Sequence, residues 1–521
     1  MKRDVAALRD GTFDLVVLGG GITGAGVALD ATLRGHRVAL IDKGDFASST
    51  SSASSKLVHG GLRYLEQGDL RLVSEALHER RLLLRNAPHL VHPLRFVVPF
   101  YRGSRVPPWK WRLGLALYDL LAGEGNLRRS HVLPRAALGR AYPSLSAEGL
   151  RGGAAYYDAQ MDDARLCIEV VRTAARQGAV VANYVEATAF ETQGGRIAAV
   201  RAVDRVGGAE LTIRGRQVLN AAGPWVDAVC RLAGDESGPH LRPTKGVHLV
   251  LPDLGLRDAF LLLHPDDGRV FFVIPWHPGV PPGAGPVHTL LGTTDTLCDT
   301  SPDALTVTPA DVEYLLRGYN RHFAPPLRAA DVQSAFAGLR PLIRARPGAP
   351  SALSREFAVF ESPSGLLSVA GGKYTTYRHM AEVVTDAVEQ RLGRRRRVRT
   401  RHFLLDGAPA RPWSEFARSE TAVLRARFGL SAEAAAHLVQ RYGLRARDVA
   451  GYVERDPALA RPAVEGEPDL AAEFAYQRDQ EMAMYPADHL LRRTRLALFR
   501  PELMRDAEKT FAGLSPGSPR W

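Results

Sequence analysis

Three glycines, Gly19, Gly21 and Gly24, are spaced G-x-G-x-x-G directly behind the apolar run Phe13 to Leu18, and they lead into Ile22 to Leu33. At this spacing the first glycine permits a tight turn and the second lets a pyrophosphate approach the backbone. The third lets a helix pack closely on a strand. A helix starting here presents N–H groups and the positive end of its dipole to phosphates. Asp42 ends a second apolar run, Val38 to Ile41, where its carboxylate can accept hydrogen bonds from a ribose. This is dinucleotide-binding chemistry, and the motif alone does not choose between NAD and FAD.

Three later stretches carry the same kind of chemistry. The serine-rich segment offers the hydroxyls of Ser51, Ser52, Ser54 and Ser55, followed by the bare backbone of Gly60 and Gly61. Asn220-Ala-Ala-Gly-Pro-Trp225 ends an apolar run with small residues, Ala222 and Gly223, where a backbone must approach something. Gly371-Gly372-Lys373-Tyr374-Thr375-Thr376 does so again and opens a helix, so its N-terminus can face the polar edge of a flavin ring. Each could also be a plain strand-to-helix turn; together, in this order, they point to one site.

The elements that must position these residues follow from periodicity. Phe13 to Leu18, Ile22 to Leu33 and Val38 to Ile41 read as a strand–helix–strand unit. Asp69 to Asn86 has helical spacing. Strands are expected at Val180–Val181, Ile197 to Val203, Gln217 to Asn220, His248 to Pro252, Val270 to Pro275, Thr289 to Thr293 and Leu366 to Val369. Thr308-Pro309-Ala310-Asp311 is a helix start, and Tyr377 to Arg391 reads as a helix. Beyond about residue 405 the pattern is helical, through Trp413 to Phe428, Ala432 to Tyr442, Leu470 to Met484 and Ala487 to Arg495.

Composition narrows the class. With 521 residues, and roughly 100–200 residues per domain, three to four units are expected. Hydrophobic residues at 45% and charged residues at 24% exclude a disordered or collagen-like chain. Three scattered cysteines, Cys167, Cys230 and Cys298, exclude a disulfide framework and a four-thiolate site, and suggest a reducing compartment. No His or carboxylate pair has ligand spacing, so no metal is expected. The net charge of +12 favours anionic substrates and surfaces. No 18-residue apolar run and no leader-like N-terminus is present, so the chain is expected to be cytoplasmic.

In these motifs the chain resembles the flavin-dependent, respiratory glycerol-3-phosphate dehydrogenases of the amino-acid-oxidase-like flavoprotein superfamily. The resemblance rests on Gly19 to Asp30, Thr50 to Glu66 (TSSASSKLVHGGLRYLE), Leu72 to Leu77 and Met161 to Leu166. It continues through Asn220 to Trp225, Gly292-Thr-Thr-Asp295, Gly338-Leu-Arg-Pro-Leu342 and Gly371 to Arg378. Asp42 stands where many members carry Glu, which keeps the carboxylate. The fold implied is α/β, an α+β two-domain flavoprotein. Its Rossmann-like FAD-binding domain would comprise 10–95, 150–225 and 335–392, its antiparallel-sheet substrate domain 96–149 and 226–334, and its all-helical C-terminal domain 400–521.

The resemblance implies the chemistry too: sn-glycerol 3-phosphate is oxidised to dihydroxyacetone phosphate, FAD takes the hydride, and ubiquinone or menaquinone takes the electrons. It places Arg63 and Tyr64 as a substrate-contacting pair and Arg340 and Arg355 on the phosphate, while Lys373 could reach flavin and substrate. His248 is the candidate base, or else a satisfied core histidine. His59, Leu62, Gly338 and Thr375 join the glycines and serines at the cofactor. An oxidase using oxygen, an amine or amino-acid oxidase, and a non-catalytic flavin module are the alternatives. The Arg394 to Arg397 run supports nucleic-acid binding only weakly, and none is expected. Val106 to Gly123, with Trp109, Lys110, Trp111 and Arg112 at its head, is either a buried helix or an interfacial segment on the inner face of the cytoplasmic membrane. A homodimer is the default expectation for such a family.

Overall fold

In Ile22–Leu33 every residue but Thr23 is buried, as its nearly all-apolar sequence dictates. The helix packs on both Asp163–Arg176 and Tyr377–Leu392. Gly26 permits the second contact, because a Cβ there would lie 2.8 Å from the Tyr377 ring. The chain is described here from a computed structural model, covering residues 1–104, 106–276, 288–344 and 357–505 but not the side chains of Arg63, Glu66 and Gln67.

These helices cover an eight-stranded sheet with a parallel core, in the order Leu367–Gly371, Glu210–Asn220, Thr12–Leu18, Val38–Ile41 and Val180–Ala182. All four residues of Val38–Ile41 are buried, the pattern of a central strand covered on both faces. The antiparallel strands Phe357–Glu361, Val185–Gln193 and Arg196–Asp204 extend the sheet.

The second sheet has ten strands, antiparallel except where Ala259–Leu263 meets Val91–Tyr101. Leu57–Val58, Leu150–Met161 and Ser334–Arg340 pair within it; all of these residues but Ser334 fall in the segments expected to form the FAD-binding domain. Pairing partners depend on long-range register, which the local pattern does not carry.

The C-terminal helices Trp413–Phe428, Ala432–Tyr442, Ala446–Arg455 and Ala471–Glu481 build their own core around Phe416, Leu424, Leu438, Val449 and Tyr476. The helix expected from Ala487 to Arg495 is present as a π-helix over Asp488–Arg493, with Thr494 N–H bonded to the His489 carbonyl five residues back at 2.9 Å. Arg495 follows in the left-handed region, with φ +73°.

Candidate active site

Four parallel strands end at one edge, where their loops meet. Leu18 lies beside Ile41 and Asn220, and Asn220 beside Ser368. The register therefore brings together Gly19, Asp42, Ala222 and Gly371. Carboxyl ends of parallel strands are where such sheets bind ligands. A cavity of about 1180 Å³ opens there and is lined by all four. Gly19 has φ +109°, and a Cβ on it would lie 2.5 Å from the Ala221 carbonyl oxygen. A Cβ on Gly24 would collide with the Gly19 carbonyl, so the third glycine packs helix on strand and does not line the cavity. Asp42 accepts from the Gly20 and Gly44 N–H groups at 2.6 and 2.8 Å. Enclosure by protein outweighs those bonds and pushes its carboxyl up to about 6.

The serine loop lines the same cavity, and its hydroxyls are also held by protein. Ser51 Oγ accepts the Ile22 N–H at 2.9 Å and so caps the glycine-motif helix. Ser54 donates through N and Oγ to the Asp163 carboxylate at 3.1 and 2.7 Å. Ser52 Oγ donates to the Ser49 carbonyl at 3.1 Å. Ser55 Oγ is hydrogen-bonded to His248 Nε2 at 2.8 Å.

His248 and Arg340 come from adjacent antiparallel strands, Thr244–Leu251 and Ser334–Arg340. The register pairs His248 with Phe336, Gly246 with Gly338 and Thr244 with Arg340. Alternation along a strand places these six on one face. Glycine in the middle of each strand leaves space. A Cβ on Gly246 would lie 2.5 Å from an Arg340 guanidinium nitrogen, and one on Gly338 would lie 2.8 Å from the Ala53 carbonyl of the serine loop. A Cβ on Gly292, in the strand on the other side of His248, would collide with the His248 ring.

Arg340 donates to Thr293 Oγ1 at 2.9 Å, to the Thr294 carbonyl at 3.1 Å and to the Asp295 carboxylate at 3.2 Å. The His248 ring stacks on Phe336, with centroids 5.1 Å apart. Its Nδ1 is buried and makes no hydrogen bond among the described residues. Burial, then the positive charges of Arg340 and Lys56, hold this imidazole down at about 3, so it is neutral across the ordinary pH range.

Of the remaining expected residues, His59, Gly61, Leu62, Tyr64, Gly223, Gly372, Lys373 and Thr375 line the cavity. Lys373 holds its ammonium 3.6 Å from the centre of the Tyr64 ring, within cation–π range. The His59 N–H donates to Thr375 Oγ1 at 3.3 Å. Gly60, expected at the cofactor, is outside the cavity lining and lies against Tyr118 and Leu77. Arg355 lies outside the described residues, as does the Arg63 side chain.

Lys56, Asp163, Thr293 and Arg495 were given no role by sequence reasoning. Lys56, Asp163 and Thr293 stood inside or beside the quoted motifs; nothing local marked Arg495. Away from the cavity, Cys230, Asp235 and His240 form one cluster of ligand-type atoms, and His437, Asp469 and Glu473 another. In the second, Arg441 donates to both carboxylates, which makes it an ion network.

A profile of the FAD dependent oxidoreductase family matches residues 14–378. The chain belongs to that family. A second profile, the C-terminal domain of alpha-glycerophosphate oxidase, matches residues 398–515. The "Glycerol-3-phosphate dehydrogenase 2" of Mycobacterium bovis is 40% identical over 98% of this chain and 86% of its own length. The "Aerobic glycerol-3-phosphate dehydrogenase" of Staphylococcus aureus is 36% identical over 94% and 87%. Among solved structures, the glycerol-3-phosphate dehydrogenase of Bacillus halodurans complexed with FAD superposes with a TM-score of 0.80 at 32% identity, covering 98% of this chain and 91% of that one.

The site fits the family's cofactor. An FAD dependent oxidoreductase needs a glycine cradle that a Cβ would fill, a helix start for the pyrophosphate and an acidic group for the ribose. Gly19, the N-terminus at Ile22 and Asp42 meet these needs, and the same cavity runs on to His248 and Arg340.

Proposed function

We propose that the chain oxidises sn-glycerol 3-phosphate to dihydroxyacetone phosphate in this cavity and passes the electrons to a membrane quinone. The observation that carries this reading is the placement of His248 and Arg340 on one face of two paired strands, in the wall of the cavity that the dinucleotide motif opens. The names of relatives similar over nearly the whole chain support the substrate.

When bound, FAD supplies the two-electron acceptor for the hydride from C2 of the substrate. The protein's share is binding, orientation and proton transfer. Arg340 is already oriented by Thr293, Thr294 and Asp295, so its planar fork loses little freedom on meeting a phosphate dianion. By resemblance, Arg355 completes the phosphate set, and Arg63 with Tyr64 contacts the substrate. Neutral His248 accepts the C2 hydroxyl proton. A phosphate dianion beside Arg340 offsets part of the positive charge that depresses His248, so the base strengthens when substrate is present. Lys373, at the glycine turn, adds positive charge where cofactor and substrate meet.

The quinone requires a membrane contact. Among the described residues no helix is long and apolar enough to cross a membrane. Pro108–Ala122 buries Leu115 and Tyr118 and exposes Trp109, Leu113 and Leu120 at 61, 64 and 76%. The exposed set repeats at helical spacing beside Lys110 and Arg112, which suits the headgroup boundary of an anionic bilayer. The protein is then a peripheral one on the inner face of the cytoplasmic membrane. Co-sedimentation with anionic phospholipid vesicles, lost on replacing Trp109, Leu113 and Leu120 by serine, tests this. Sedimentation equilibrium tests the expected homodimer.

The decisive experiment is an anaerobic titration of the purified yellow protein with glycerol 3-phosphate. Bleaching of the flavin band, reversed by a quinone analogue, is expected. No bleaching by glycerol 3-phosphate, with bleaching by an amine or amino acid, would overturn the substrate. The oxidase-type C-terminal profile favours a second reading with oxygen as acceptor. Peroxide release matching substrate consumption would decide for it.

A further inference from the structure

The C-terminal segment reaches the active-site cavity. Leu491, Arg492, Arg495 and Leu498 form part of its wall. Arg495 is buried, and its guanidinium pairs with Asp163 and, at 3.0 Å, with Asp162. Asp163 is the anchor of the serine loop. Its carboxylate also accepts from Ser54 N and Oγ and from Lys56 Nζ, the last at 2.9 Å. Ser55, between Ser54 and Lys56, holds His248 Nε2.

The backbone marks the same seam. Five non-glycine residues among those described have positive φ, and four lie where the C-terminal segment meets the rest: Lys56, Tyr184, Met482 and Arg495. Tyr184 donates to Asp488 at 2.6 Å, and the Met482 carbonyl accepts from Asn183 at 2.8 Å. Such conformations persist where surrounding contacts over-determine them. Lys56 and Arg495 both adopt one, and both place a buried cation on Asp163. Burial would raise the Asp163 carboxyl; the two cations and Ser54 outweigh it and hold it down at about 2.

We propose that Arg495 is a positioning residue for the active site: through Asp163 it fixes the Ser52–Lys56 loop in the cofactor cavity, and through Ser55 it orients His248. The His248 half of this statement rests on the reading of His248 as base; the loop half does not.

The test uses Arg495→Met, which keeps length without charge, Arg495→Lys, which restores charge, and Ser54→Ala, which removes only a hydroxyl. Each full-length variant is stripped of flavin and titrated with FAD by fluorescence, then assayed with glycerol 3-phosphate and a quinone analogue. Arg495→Met is expected to weaken FAD binding at least tenfold and lower kcat at least tenfold, with KM changed less than threefold. Arg495→Lys should recover a third or more of both losses, and Ser54→Ala should show a smaller loss of the same kind. Unchanged FAD affinity and kcat in Arg495→Met would overturn the proposal. So would losses that Arg495→Lys does not recover and that track only a fall in melting temperature. His248→Asn, made in parallel, separates the two readings: wild-type kcat in that variant sinks the base assignment, while the FAD titration of Arg495→Met still decides the loop.

Discussion

The Tyr118 hydroxyl accepts the Gly60 N–H at 2.9 Å and donates to the Asp158 carboxylate. Tyr118 belongs to the helix whose opposite face carries exposed Trp109, Leu113 and Leu120, and Gly60 belongs to the loop that carries His59 and Gly61 into the cavity. One side chain therefore ties the apolar surface helix to the active-site loop. Arg80 completes the cluster by donating to Asp158 and to the Tyr157 carbonyl. Tyr118→Phe removes a buried donor from a carboxylate that burial already pushes upward. A loss of about 1–3 kcal/mol in urea unfolding is expected, the cost of a buried polar group left short of a partner.

Arg340 is the phosphate fork of the proposed reaction. Arg340→Lys keeps the charge but not the planar pair of donors. The expected outcome is a fall in kcat/KM for glycerol 3-phosphate of about 100-fold or more for Arg340→Ala and a smaller one for lysine, on the scale of one or two charge-assisted hydrogen bonds. FAD content, read from the visible spectrum, should stay at the wild-type level in both.

His248→Asn should lower kcat by about 10²–10⁴, the range for a lost general base. Gly292→Ala tests the same group indirectly, because its new methyl would collide with the His248 ring. It should lower kcat while leaving FAD bound. Wild-type turnover in both variants would remove His248 from the mechanism.

Three buried histidines contribute to the acid side of the stability curve. His89, His248 and His489 are each held down at about 3, first by burial and then by a nearby arginine, Arg165, Arg340 and Arg493 respectively. In the unfolded chain each takes up its proton near pH 6.5. Their contribution is therefore whole above pH 6.5 and is lost as the pH falls towards 3, at up to about 1.4 kcal/mol per pH unit per histidine. Asp42, raised to about 6, acts in the opposite sense between roughly pH 4 and 6, and Asp158, also raised by burial, acts in the same sense as Asp42. Urea midpoints of the holoenzyme should drop steadily from pH 7 to 4.5, and less steeply in His248→Asn.

Much of this protein was legible in its sequence because the signals are local. The glycine spacing and flanking apolar runs determined Thr12–Leu18, Ile22–Leu33 and Val38–Ile41. Thr308 and Asp311 form the capping box expected of a helix start, and Ser431 caps Ala432–Tyr442. Cap and turn chemistry acts over three or four residues, so a single chain displays it. What the tertiary structure decided is which distant segments share a surface. Strand register set His248 beside Phe336 and placed Arg340 on the same face, 92 residues away in sequence. It drew Leu150–Met161 into the second sheet and aligned four strand ends around one cavity. Burial of charge joined Asp163 to Arg495 across 332 residues, because a desolvated cation must find an anion wherever the fold supplies one.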